Sequence, residues 1–140
     1  MKVKIDGLKD LEKTLLNLGT KTAGKVLRET LKEIAKPMFN DIKNSTPVKT
    51  GALKESVRLT SGVGRSKRSK YSARARIIIG GKSTKKRKTA GHAITIEYGN
   101  SSRAARPFIR PAFDKNVNQA LSKFKQTLSQ RILKAAKNGK

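Results

Sequence analysis

The amino-acid sequence predicts an α+β fold: two N-terminal helices, a three-stranded antiparallel sheet, and a long C-terminal helix packed on that sheet. Three observations carry this expectation. Apolar residues recur at helical spacing near both ends of the chain, they alternate with polar residues in three successive central runs, and two long basic stretches separate those runs. At 140 residues the chain has the length of a single domain, 1–140.

The elements follow in order. Ile5, Leu8, Leu11, Leu15 and Leu18 lie three or four residues apart and form one face of a short helix, with Asp6 near its start and Gly19 at its stop. From Thr22 to Asn44 a second stripe keeps helical period through Ala23, Val26, Leu27, Leu31, Ile34, Ala35, Met38, Phe39 and Ile42. Pro37 falls inside it and is expected to kink the helix or split it at Lys36. The helix must end before Pro47, because Thr46 is pushed towards extended geometry. Period-two alternation then marks three strands, through Val57 and Leu59, through Ala73, Ala75, Ile77 and Ile79, and through Ile94, Ile96 and Tyr98. The connections at 62–70 and 80–91 are basic and poor in apolar residues, which predicts mobile loops. The last stripe, within Pro111 to Ala136, is the clearest: Phe113, Val117, Ala120, Leu121, Phe124, Leu128, Ile132 and Ala135. Pro111 suits a first helical turn, and residues 137–140 are expected to fray.

Composition narrows the function. The formal net charge is +25, with 34 Lys and Arg against nine acids. Twelve Lys or Arg residues and no acid lie between Glu55 and Glu97, and no acid follows Asp114. Such self-repulsion calls for a partner that is a polyanion or an acidic protein face. The cations cluster as Arg65, Lys67, Arg68 and Lys70 in the first basic stretch and as Lys82, Lys85, Lys86, Arg87 and Lys88 in the second. These clusters suit sequence-blind charge attraction, including non-specific DNA contact. Base readout would need interleaved aromatics or a recognition helix, and only Tyr71 borders either cluster. Glu97 is expected to pair with Arg74 or Arg76 across the sheet, a contact worth about 0.2–1 kcal/mol. Cysteine is absent, which removes disulfides and thiolate metal sites. The N-terminus has no signal-peptide core, and no apolar run is long enough to span a membrane.

Catalysis finds no footing. The one histidine, His92, reads as an ordinary loop residue, and the scattered acids make neither a metal site nor a carboxylate dyad. Ile77 to Thr84, IIIGGKST, mimics the end of a phosphate-binding loop. Arg76 stands where the motif needs Gly, and KKRKTAG follows where it needs a helix. The expectation is a protein that is not an enzyme and that holds no cofactor and no metal.

Two motifs remain. In Thr46 to Val57, Pro47, Lys49, Thr50, Gly51, Leu53, Lys54 and Ser56 fit the pattern P-x-[KR]-T-G-x-L-[KR]-x-S. Pro47 stops the second helix, Gly51 supplies a turn, and Leu53 re-enters the core. Further on, Glu97, Tyr98 and Gly99 make an acid–aromatic–Gly turn, followed by Pro107, Phe108, Ile109, Arg110, Pro111 and Ala112. The two motifs in this order resemble the small head–tail joining proteins (neck or tail-completion components) of long-tailed bacteriophages. That family usually carries Thr after the turn glycine. Asn100 stands there in this chain and also suits turns. The resemblance implies a structural virion protein made in the host bacterial cytoplasm and placed at the head–tail interface. It implies a homo-oligomeric ring, with six copies as the family-level expectation, docked between connector or head-closure proteins and the tail tube. It also implies that Phe108 anchors beneath the final helix, and that Arg110 satisfies carbonyls or reaches a neighbouring subunit. The charge alone supports a different class, a small basic nucleic-acid-binding protein.

Overall fold

A computed structural model describes residues 8–64, 72–80 and 84–138. The elements are α1 (Leu8–Asn17), α2 (Thr20–Ser45), α3 (Ala52–Ser56), β1 (Arg58–Gly64), β2 (Ser72–Ile78), α4 (Thr84–Tyr98) and α5 (Ile109–Asn138). Contacts divide the chain into two compact units. Of the described residues, those within 8–34, 61–64, 72–75 and 119–138 form the first, and those within 35–60, 76–80 and 84–118 form the second.

The class is α+β, as expected, but the sheet has two antiparallel strands, β1 and β2, instead of three. The third expected strand, through Ile94, Ile96 and Tyr98, is the last turn and a half of α4. Its alternation is real in the sequence but does not govern burial. The residues α4 turns inward are Thr89, Ala93 and Glu97, spaced by four, while Ile94 and Tyr98 face solvent. Tertiary burial of small and charged residues thus overrides the strand preference of an Ile-Thr-Ile run. The stretch at 80–91 is correspondingly not one loop: residues 84–91 are helical, and His92 lies within the same helix, exposed. The 62–70 stretch also begins as strand, since β1 continues to Gly64. Arg65, Lys67, Arg68, Lys70 and Lys82, together with Ile5 and Asp6, lie outside the described residues.

Pro37 does not split α2, which runs unbroken from Thr20 to Ser45. The proline is exposed. α5 reaches Asn138, so Lys137 and Asn138, expected to fray, are helical.

The first unit is a helical core. Leu15, Ala23, Val26, Leu128 and Ile132 are buried together, with Leu11, Leu18, Leu27, Phe124 and Ala135 packed around them. These are the stripes of α1, α2 and α5, and Ile132 is 1% exposed. Arg131 forks between Glu29 and Glu33 on α2, beside this core. All three side chains are at least a third exposed, so the cluster fixes register more than it stabilises.

The second unit has its own cluster: Ile42, Val57, Ala93, Phe108 and Ala112, flanked by Met38, Phe39, Leu53, Ile77, Ile79, Ile96 and Ile109. Polar side chains inside it are partnered. Asn116 donates to Asp41 Oδ2 at 2.8 Å and to the Ala112 carbonyl at 2.8 Å, joining α2 to α5. Among the described residues no buried side-chain nitrogen or oxygen lacks a partner.

Candidate functional site

Both sequence motifs fall in the second unit, and they converge on one cluster, since Leu53 packs against the group that contains Phe108. The first motif makes the turn between α2 and β1. Thr46 closes α2 by donating its hydroxyl to the Ile42 carbonyl at 2.6 Å. Pro47 and Thr50 are exposed, and Gly51 takes the left-handed conformation (φ +78°) before the single turn of α3. Ser56, the last residue of the motif, is 1% exposed. Its hydroxyl donates to the Leu53 carbonyl at 2.7 Å and accepts the Gly80 N–H at 3.2 Å, which ties α3 to the end of β2.

The second motif makes the α4–α5 junction, and its centre is Glu97. Sequence reasoning placed this acid on a sheet opposite Arg74 or Arg76. The structure places it near the end of α4, 5% exposed. Glu97 Oε2 accepts the N–H groups of Phe108 at 2.8 Å and Ile109 at 2.9 Å, and Oε1 accepts that of Arg110 at 3.0 Å. A helix leaves its first four N–H groups without internal partners. Here three are met by one carboxylate, and the fourth position is Pro111, which has no N–H. The charge is misplaced for its own helix, whose C-terminus repels an anion, but correctly placed for α5, whose N-terminus attracts one. Burial opposes ionisation of Glu97. The three amide donors and the adjacent Arg110 outweigh it and hold the carboxyl below the usual glutamate range.

Gly99 ends α4. Its N–H donates to the Thr95 carbonyl at 2.8 Å, and its φ is +74°. A Cβ there would meet the Ala105 nitrogen and the Arg103 oxygen, each at 2.8 Å, so both conformation and space demand glycine. Gly99→Ala is therefore expected to lower stability by about 2 kcal/mol, read as a denaturant midpoint shift at constant slope. An unchanged midpoint would mean that this turn relaxes without cost. Beyond it, Asn100 and Arg103 exchange backbone hydrogen bonds (2.9 and 3.2 Å), and Asn100 Oδ1 accepts the Ser102 N–H at 3.0 Å. Asn100 thus serves as a turn residue where the family usually has Thr. Arg106 N–H donates to the Ile96 carbonyl at 2.7 Å, returning the chain to α4 before Pro107.

Phe108 is 3% exposed at the start of α5, clustered with Ile42, Val57, Ala93 and Ala112. Arg110 is exposed and stacks its guanidinium on the Tyr98 ring, 4.7 Å from the centroid. Lys85, Lys86, Arg87 and Lys88 belong to the start of α4. Sequence reasoning missed the anchoring of α5 by Glu97, because the carboxylate and its amides are eleven to thirteen residues apart and no local capping pattern links them.

The only buried carboxylate among the described residues, Glu97, holds backbone amides. No group of His, Asp or Glu among those residues is placed to hold a metal ion. The chain matches the family model described as "Bacteriophage HK97-gp10, putative tail-component" over residues 9–106, more than half its length, and belongs to that HK97-gp10-like family. The match takes in the first motif and the Glu97–Tyr98–Gly99 turn, and stops one residue short of Pro107. No curated protein and no solved structure matches the chain. The family gives this protein a structural role in a phage particle.

Proposed function

We propose that the protein completes the phage head–tail joint without catalysing a reaction. Copies of the chain form a ring, docked between the connector and the tail tube. Such a ring uses a heterologous interface that closes on itself. The observation that carries the reading is the α4–α5 junction. There a family-type turn and a buried carboxylate tie the end of α4 to the start of α5. The basic surface is the face offered to acidic neighbours in the assembled joint. A channel that held DNA at many phosphates would slow its passage.

Virions produced without this protein are expected to contain filled heads and separate tails in negative-stain images, with joining restored by supplying the chain in trans. Normal joining in its absence would refute the proposal. The rival reading, a small nucleic-acid-binding protein, rests on the net charge of +25. Titration with duplex DNA at two salt concentrations separates the two. Tight binding by a monomer with a steep salt slope favours the rival, and weak unsaturable binding favours the joint.

A further inference from the structure

We infer that the exposed surface shared by α4 and α5 docks an acidic protein different from this chain. The inference rests on the joint-component reading and assigns one of its faces. Ile94 and Tyr98 lie one helical turn apart on α4 and are 61% and 62% exposed, and Phe113 on α5 is 47% exposed. Arg110 bridges them: it stacks on Tyr98 and lies three residues before Phe113. The connecting segment adds two more exposed arginines, Arg103 and Arg106. An aromatic centre with an arginine rim is the composition of an interface core, and this one sits on helices whose directions Glu97 locks.

Charge selects the occupant. A second copy brings 34 cations and nine acids. Four of those acids are engaged internally: Glu29 and Glu33 with Arg131, Asp41 with Lys115 and Asn116, and Glu97 with backbone amides. Like-charged rims would repel, so this face is not the contact between copies. It fits an apolar segment flanked by Asp and Glu.

The test uses the full chain with p-benzoylphenylalanine in place of Phe113, incorporated during particle assembly and irradiated. The expected product is an adduct with a different virion protein whose cross-linked peptide is net negative. The adduct yield should fall at least ~5-fold when Arg103→Glu and Arg106→Glu are combined, at equal incorporation of the chain. An adduct of twice the 15.4 kDa mass would assign the face to a second copy and overturn the inference. So would an adduct with DNA, a yield indifferent to charge reversal, or no adduct in particles that contain the protein. Particles that never incorporate the chain would instead overturn the joint reading itself.

Discussion

Replacing Glu97 with alanine is expected to destabilise the protein by about 3 kcal/mol, because three amides at the start of α5 lose a shared, buried, charged acceptor. Glu97→Gln should cost nearly as much: one of its two ends becomes a donor and faces an N–H. Titration gives an independent signature. The folded-state carboxyl is held below its ordinary value of 4.5, so its stabilising share is present above that value and disappears as the pH falls through the folded-state value. Asp41 contributes with the same sign, since hydrogen bonds from Asn116 and Lys115 also hold it low. Urea unfolding from pH 7 to pH 2 should therefore show a falling acid limb, and Glu97→Gln should flatten that limb without removing it. Equal acid limbs in the two proteins would show that Glu97 does not carry the junction.

Phe108→Ala should cost about 4 kcal/mol, the range for emptying a buried aromatic site. The ring lies among Ile42, Val57, Ala93 and Ala112, which come from α2, the segment after α3, α4 and α5. Its loss would loosen all of them at once. Phe108→Leu keeps most of the apolar contact and should cost less than half as much. Thermal melts followed by circular dichroism measure both. A Phe108→Ala protein as stable as the parent would mean that the cluster collapses onto the vacancy, and the anchor role would be lost.

The helical stripes were legible in the sequence because one face of each carries most of the large aliphatics. Leu11, Leu15 and Leu18, and later Leu128 and Ile132, meet in a single core as their spacing requires. The hairpin was legible through the alternation at Leu59 and at Ala75 and Ile77. α4 was not. Its inward residues include a threonine, an alanine and a glutamate, and its isoleucines at 94 and 96 imitate a strand. No periodicity rule recovers a helix whose large apolar residues are partly exposed, as Ile94 and Tyr98 are. The site was half legible. The residue types of the Glu97–Tyr98–Gly99 and Pro107–Ala112 segments marked a junction, and Phe108 lies buried in it. The bond that joins the two segments runs between a side chain and distant amides, and only three-dimensional proximity reveals it.

The segment from Asn100 to Pro107 leads to an asymmetry in what natural variants can change. Its side chains are all exposed, yet its backbone is fastened at Gly99, Asn100, Ser102, Arg103 and Arg106. Point changes at Ser101, Ser102, Ala104 and Ala105 should drift freely between related phages. An extra or missing residue would carry the amides of 108–110 out of reach of Glu97. The segment is thus a ruler more than a tether: evolution can rewrite its letters but not its count.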